Sequence, residues 1–162
     1  MARKEIVTWH QSYSVGMKQI DEQHQELIKL TNDLFSSCLQ GQEKSKTVFL
    51  KTIHKAVNYI NYHFSIEEKI MEKVIYPEYA EHKKEHVDFV REVFIKVQEF
   101  TSGKRFTPLA FVYYLRDWVL NHIAVCDKKM GAYVLSLHKQ GNLQKITVMV
   151  KKNEETNRYE IK

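Results

Sequence analysis

The chain has few of the residues that interrupt helices or cross-link a fold. It contains only five glycines and two prolines among 162 residues, so long segments run without a breaker, and such segments favour helices. It has only two cysteines, Cys38 and Cys126, which lie far apart in apolar surroundings. This pattern indicates reduced thiols in a cytoplasmic protein rather than the disulfide framework of a small secreted domain.

The sequence predicts neither a membrane span nor a secretory leader. The longest apolar region, LAFVYYLRDWVLNHIAV, is interrupted by Arg116 and Asp117, which makes it too short and too charged to cross a bilayer. The first ten residues, MARKEIVTWH, lack the apolar stretch of a secretory signal. Hydrophobic residues make up 43% of the chain, which excludes a disordered protein. We therefore expect one folded domain with a substantial core.

Positive charge is in excess, but it is not concentrated. The formal net charge is +5, a balance that by itself would suit a nucleic-acid-binding protein. Lysines alternate with glutamates, however, in segments such as EEKIMEK and EHKKEH. There is no basic stripe and no known nucleic-acid-binding motif. The charges therefore indicate a solvated surface, and we expect no nucleic-acid partner.

The uninterrupted segments predict an all-α protein. The predicted helices lie near residues 21–40, 45–75, 79–101 and 108–138. The segments GQEKS, YPE and TSGKRFTP separate them, and such short connections make neighbouring helices antiparallel. We therefore predict an up-down-up-down antiparallel four-helix bundle domain at residues 1–140, with an N-terminal arm at 1–20. Residues 141–162 should form a short C-terminal tail, either a β-hairpin or a mobile segment.

Each predicted helix places a histidine on its apolar seam. Apolar residues recur at spacings that alternate between three and four, as on one face of a helix. On the second helix the seam consists of Phe49, Ile53, Ala56, Ile60, His63, Glu67, Ile70 and Val74. The other seams contain His24, His82 with His86, and His122. One seam histidine is usually a satisfied core residue, but a buried carboxylate without a partner costs several kcal/mol.

Helical spacing brings these polar residues to one level of the bundle. Residues four apart lie about 40° apart around a helix and roughly 6 Å along it, so His63 and Glu67 share a face, as do His82 and His86. The two pairs lie at the end of one helix and the start of the next, which places them at the same depth. Five imidazoles and a carboxylate in one core predict a metal site, because ligation removes the cost of burying them.

Asp127 is the candidate second carboxylate, although its spacing does not suit a regular α-helix. It follows His122 by five residues, about 140° around an ideal helix. The apolar seam changes phase at the same point, because Met130 and Val134 follow from Asp127 and not from His122. We therefore predict that one extra residue is absorbed here by a local widening of the helix such as a π-bulge, which is frequent at functional sites. The alternative explanation is the wider face that is needed to straddle two metals.

The motifs together resemble a known family. The segment WHQSYSVGMKQIDEQHQEL resembles the start of bacterial hemerythrins, and HFSIEE, HKKEH and HIAVCD resemble their remaining motifs in the same order. The resemblance covers about residues 7–138 and implies a non-haem di-iron centre that binds dioxygen reversibly. The ligands that it implies are His24, His63, Glu67, His82, His86, His122 and Asp127.

The resemblance also implies how these ligands are shared. Three histidines would bind one iron, and two, His24 and His63, would bind the other. If both carboxylates and an oxo or hydroxo group bridge the two irons, the second iron keeps one open position, which a metal needs in order to bind an external ligand. The implied apolar wall of the oxygen pocket consists of Leu27, Phe64, Trp118, Val119, Ile123 and Val125.

The predicted function is reversible dioxygen binding for oxygen carriage, storage or delivery, by a monomer that is not an enzyme. The alternatives are a di-iron enzyme, such as an oxidase or a detoxifier of peroxide or nitric oxide, and a sensor of oxygen or iron. Oxygen-activating bundles have carboxylate-rich sites, whereas this site is rich in imidazole, which favours reversible binding. A sensor would need an output, for which only the tail is available as a docking site for a protein partner.

Overall fold

A computed structural model describes residues 5–39, 42–104, 107–141, 150–153 and 158–161, without the side chains of 42–45 and of the last two segments. Its helices are α1 (Lys18–Cys38), α2 (Gln42–Lys73), α3 (Tyr79–Thr101), α4 (Pro108–His122) and α5 (Lys128–Lys139). A short 3-10 helix, Gln11–Tyr13, precedes them. A five-residue π-helical turn, Ile123–Asp127, joins α4 to α5, so these three elements form the fourth helix of the bundle.

The helices pack as the predicted four-helix bundle. Helix α1 packs against α2 and α4, and α2 packs against α3, which is the neighbour order of an up-down bundle. The all-α prediction is confirmed, and so is the π-bulge. Helix α1 begins at Lys18, earlier than predicted. Its N-cap, Met17, makes no side-chain hydrogen bond, so no capping residue marks this start in the sequence. Pro108 stands in the first turn of α4, where its missing N–H costs little.

The apolar core forms two clusters on either side of the seam histidines. The larger cluster consists of Leu27, Leu30, Leu34, Phe49, Ile53, Ala56, Ile60, Phe64, Phe89, Val93, Phe111, Val112, Leu115, Val119 and Ile123. The smaller cluster consists of Val15, Ile20, Ile66, Ile70, Met71, Val74, Tyr76, Met130 and Val134. On α2, for example, Ile60 lies in the first cluster and Ile70 in the second. The polar residues between them are therefore shielded from solvent along the bundle axis.

The N-terminal arm is attached to α1 through hydrogen bonds to two side chains of this helix. The Asn32 side-chain oxygen accepts a bond from the backbone N–H of Ile6 at 3.0 Å. The Asp21 carboxylate accepts one from the Ser14 hydroxyl at 2.6 Å and one from the Val15 N–H at 2.8 Å. Both acceptors belong to α1, so the arm follows this helix and Val15 joins the smaller core cluster.

The turn between α2 and α3 sets the register of two candidate ligand pairs. Helix α2 ends with bonds from the Ile75 N–H to the Glu72 carbonyl at 3.2 Å and from the Tyr76 N–H to the Met71 carbonyl at 2.9 Å. This pattern closes many helices through one left-handed residue, usually glycine. Here Ile75 takes that conformation, with φ of 51°, and is exposed. Tyr76 is buried, and α3 begins three residues later, at Tyr79.

The described part of the tail contains two strands. Strands β1 (Val150–Asn153) and β2 (Arg158–Ile161) pair antiparallel, with Val150 opposite Ile161. Within the described residues, no helix combines the length and the apolar character that crossing a membrane requires.

Candidate metal centre

All seven candidate ligands lie together in the middle of the bundle. They come from α1, α2, α3, α4 and the π turn. Their exposed fractions are 0% for His24, 1% for His63, 0% for Glu67, 3% for His82, 2% for His86, 4% for His122 and 0% for Asp127. The structure therefore brings together every residue that the motifs indicated.

Their donor atoms form two groups that share both carboxylates. The three-histidine group consists of His82, His86 and His122 with Glu67 and Asp127. The two-histidine group consists of His24 and His63 with the same two carboxylates. Within each group the donor atoms all lie within 4.8 Å of one another. The arrangement offers two adjacent positions for cations, one with five protein donors and one with four.

Asp127 faces both groups with different oxygens. Its Oδ1 lies 3.1 Å from Nε2 of His82 and 3.1 Å from Nε2 of His122. Its Oδ2 lies 3.1 Å from Nε2 of His24. The π turn makes this possible, because its extra residue returns Asp127 to the face of the helix that carries His122. A carboxylate in this orientation is suited to bridge two cations.

Glu67 is arranged in the same way from the opposite side of the bundle. Its Oε2 lies 3.3 Å from Nε2 of His86, and its Oε1 lies 3.5 Å from Nε2 of His63. Glu67 and His63 are four residues apart on α2, so one helical turn places both donors on the inner face. The centre thus has two carboxylates, from α2 and from the fourth helix, that each face two groups of histidines.

The ring nitrogens of the three-histidine group lie unusually close together. Nε2 of His82 and Nε2 of His86 are each 3.1 Å from Nε2 of His122. Donor atoms that lie about 2.1 Å from one ion and at right angles around it would be about 3.0 Å apart. The observed spacing therefore fits adjacent positions around a single metal ion.

Several buried polar atoms of the candidate ligands lie close to one another but have no partner in hydrogen-bonding geometry among the described residues. They are Nδ1 and Nε2 of His24, both oxygens of Glu67, Nδ1 of His82, Nδ1 of His122 and both oxygens of Asp127. Leaving a buried polar atom unpaired costs about 1–3 kcal/mol. Metal ligation would satisfy the four carboxylate oxygens together with the inward-facing nitrogen of His24, so the donor set fits a pair of metal ions.

The electrostatics of the site favours positive charge. Burial lowers the pKa of His24 and of His82, but their interactions with Asp127 and Glu67 outweigh burial and raise each pKa to about 9. The pKa of His122 rises to about 10 because Asp127 likewise outweighs its burial. Burial alone would raise the pKa of Glu67, yet the surrounding histidines hold it well below its usual value. The two carboxylates therefore attract cations to the space between the rings.

Two ligand rings are oriented by partners outside the cluster. Nδ1 of His63 donates to the side-chain oxygen of Gln23 at 2.9 Å, and burial lowers the pKa of this ring to about 4. Nδ1 of His86 lies 3.2 Å from Oε1 of Glu68. Because the amide oxygen and the carboxylate oxygen can only accept, Nδ1 is the donor in both contacts, and Nε2 of each ring faces the site.

Sequence reasoning assigned no role to Gln23 or Glu68. Each is next to a candidate ligand in the chain, and neighbours on a helix point in different directions, so helical spacing gave no signal for them. Gln23 lies in the segment WHQSYSVGMKQIDEQHQEL, and Glu68 is the last residue of HFSIEE. Only the packing of α1 on α2 and of α2 on α3 shows which rings they face.

Comparison with known proteins agrees with this geometry. Residues 15–134 match the model of the family described as the hemerythrin HHE cation binding domain. The chain belongs to the hemerythrin family. The bacteriohemerythrin of Methylococcus capsulatus is 27% identical over 127 residues, which cover 78% of this chain and 95% of the relative. That of Stenotrophomonas maltophilia is 29% identical over 123 residues, which cover 76% and 78%. The family resemblance predicted from the motifs is confirmed.

A solved structure of wild-type hemerythrin has the same fold. It aligns with a TM-score of 0.74 and 26% sequence identity, covering 80% of this chain and 98% of the hemerythrin chain.

A small cavity adjoins the centre of this hemerythrin-family domain. It is lined by Leu27, Ile60, His63, Phe64, Phe89, Trp118, Val119, His122, Ile123 and Asp127. Its volume of about 10 Å³ is close to that of one water-sized sphere. It touches histidines of both groups and lies on the side of the larger apolar cluster. The cavity is thus a small, mostly apolar space beside the candidate metal positions.

One predicted wall residue does not line this cavity. Val125 is 46% exposed and is absent from the lining residues, so its prediction as a pocket residue is wrong. It lies inside the π turn, where the widened backbone presents it to solvent, and the family pattern alone did not reveal this. The other five predicted wall residues do line the cavity, and Ile60 and Phe89 join them.

Aromatic rings of the wall stack on the candidate ligands. Trp118 stacks on His122 with ring centroids 4.4 Å apart and on Phe89 with centroids 3.7 Å apart. Phe64 stacks on His86 with centroids 3.7 Å apart and an interplanar angle of 5°. The stacking therefore restricts the planes of the two imidazole rings.

Proposed function

We propose that this hemerythrin-family protein binds dioxygen reversibly at a non-haem di-iron centre and is not an enzyme. The ligands proposed are His24, His63, Glu67, His82, His86, His122 and Asp127. The observation that carries the proposal is the sharing of both carboxylates between groups of three and two histidines. Two irons, bridged by an oxo or hydroxo group, would supply the reversible electron transfer that dioxygen binding requires.

The inequality of the two groups supports a binding role. The three-histidine group offers five protein donors and the two-histidine group offers four. If both carboxylates were shared equally by the two metals, the metal beside His24 and His63 would have one protein ligand fewer and could accept an exchangeable ligand. His63 also lines the cavity, as does His122 of the three-histidine group, so the cavity reaches this half of the site.

The apolar wall supports reversibility. Leu27, Phe64 and Trp118 line the cavity and leave little room for water. Exclusion of water and of protons protects a reduced centre from oxidation, because the apolar surroundings of a metal control solvent access. The five imidazoles also supply less negative charge than the carboxylate-rich sites of oxygen-activating bundles. We therefore place the chain among oxygen carriers or stores rather than among di-iron enzymes.

Anaerobic loading with ferrous iron tests the proposal. Metal content should reach two irons per chain, and the visible absorption band that appears in air should disappear on deoxygenation over repeated cycles. Irreversible oxidation in the first cycle, or turnover of an added substrate, would contradict reversible binding. The matched control is His138→Ala, which removes an exposed histidine outside the site and should change neither metal content nor the spectrum.

A further inference from the structure

Glu68 contacts a candidate ligand from outside the metal centre. Its Oε1 lies 3.2 Å from Nδ1 of His86, while Nε2 of His86 faces Glu67 at 3.3 Å. The Glu68 side chain is 21% exposed, so solvent screens this contact only in part. A carboxylate in this position holds the ring proton on Nδ1 and increases the electron donation of Nε2 toward a metal.

A second contact keeps Glu68 in place. Its Oε2 lies 3.1 Å from Nζ of Lys83 on α3. Lys83 also donates to the hydroxyl of Tyr79 at 3.0 Å, and this hydroxyl donates to Oε1 of Glu72 at 2.8 Å. The network joins α2 to α3 around His86, so Glu68 can face the ring without losing its own charge partner.

The other candidate ligands have weaker outer partners or none. Nδ1 of His63 faces the neutral amide of Gln23 at 2.9 Å. Nδ1 of His24, His82 and His122 has no hydrogen-bond partner among the described residues. Within the described part of the chain, the carboxylate partner thus belongs to the three-histidine group, and the two-histidine group has an uncharged one.

We propose that Glu68 is a positioning residue that fixes His86 and strengthens its bond to the metal of the three-histidine group, so that this metal is held more tightly than its neighbour. The proposal rests on metal binding at the proposed centre and does not depend on dioxygen binding. Glu68 makes the three-histidine half the anchored half of the centre, and Gln23 leaves the two-histidine half less strongly held.

Release of the two metals into a chelator tests this proposal. The wild-type protein, loaded anaerobically with ferrous iron, should lose iron in two phases. The fast phase would report the two-histidine group and the slow phase the three-histidine group. In Glu68→Ala the slow phase should accelerate about 10–100-fold, the range found when an outer partner of a metal ligand is lost. Glu68→Gln keeps an acceptor oxygen, so the rate of its slow phase should lie between those of the wild-type protein and Glu68→Ala. The control Glu72→Ala removes a carboxylate of the same network that does not contact a ligand, and should leave both phases unchanged.

A spectroscopic measurement separates positioning from a general loss of structure. In the metal-free protein with ¹⁵N-labelled histidine, the slowly exchanging Nδ1–H signal of His86 should disappear in Glu68→Ala and remain in Glu68→Gln, while that of His63 remains in both. An unchanged slow phase in Glu68→Ala, or equal acceleration of both phases, would overturn the inference. If Glu68→Ala does not fold, Glu68→Gln alone decides. A wild-type protein that takes up no iron would instead refute the proposed function.

Discussion

The two halves of the candidate metal centre differ in their donors and in their support. The three-histidine half draws its rings from α3 and α4, where nitrogens pack 3.1 Å apart and Glu68 stands behind one ring. The two-histidine half draws its rings from α1 and α2, with only Gln23 behind one of them. The difference is consistent with the proposed roles, in which one half retains its metal and the other binds the exchangeable ligand.

Loss of the charge of a shared carboxylate should weaken metal binding in both halves, and this is the largest effect that we expect. Asp127→Asn replaces a charged group facing both groups with a neutral amide, so the binding of each metal should weaken by more than about 100-fold, beyond the loss expected for an outer partner. Elemental analysis after iron loading should find less than one iron per chain. Retention of two irons would show that Asp127 does not bridge.

Loss of one histidine from each half should separate their roles. His24→Ala should keep the metal of the three-histidine half, because its donors remain, and lose dioxygen binding. His82→Ala should lose that metal first, and dioxygen binding only as a consequence. Iron content and the oxygenated spectrum, measured together in both variants, check this order. Equal iron content in the two variants would remove the proposed difference between the halves.

Thinning of the cavity wall should affect stability of the reduced state more than metal content. Leu27→Ala or Trp118→Ala admits water into the cavity beside the centre, so autoxidation should accelerate about tenfold, at the lower end of effects from altered metal surroundings. The rate is measured as decay of the oxygenated band in air. An unchanged rate would remove the wall role from the residue tested.

The smallest effect is expected for Val125→Ala. Because Val125 is 46% exposed and lies outside the cavity lining, its truncation should change the free energy of unfolding by less than about 0.5 kcal/mol and leave autoxidation unchanged. It is therefore the matched control for the wall variants. Faster autoxidation in this variant would return Val125 to the wall.

Much of the candidate site could be predicted from local spacing. His63 with Glu67, and His82 with His86, are pairs four residues apart, and a helix alone places such pairs on one face. The π turn was also predictable, because the apolar seam shifts phase between His122 and Asp127, as it does when one extra residue is absorbed. These inferences succeed because helical periodicity depends on the chain within a few residues.

Other features could not be predicted from spacing. The exposure of Val125 depends on how the widened turn rotates its side chain. The contact of Glu68 with His86 depends on the distance between α2 and α3, which the turn at Ile75 sets with a left-handed residue that is seldom isoleucine. Glu67 and Glu68 are adjacent in the chain but contact different nitrogens of His86. Glu67 faces Nε2 inside the bundle, whereas Glu68 faces Nδ1 from the outer side.

The sequence by itself determined the four helices, the histidine on each apolar seam and the identity of the candidate ligands, since these follow from local periodicity and residue chemistry. The tertiary structure alone decided which carboxylate oxygen faces which group, which rings have an outer partner and where the cavity lies. Those properties depend on the rotation and separation of packed helices, to within a few tenths of an ångström, and no pattern within one helix specifies them.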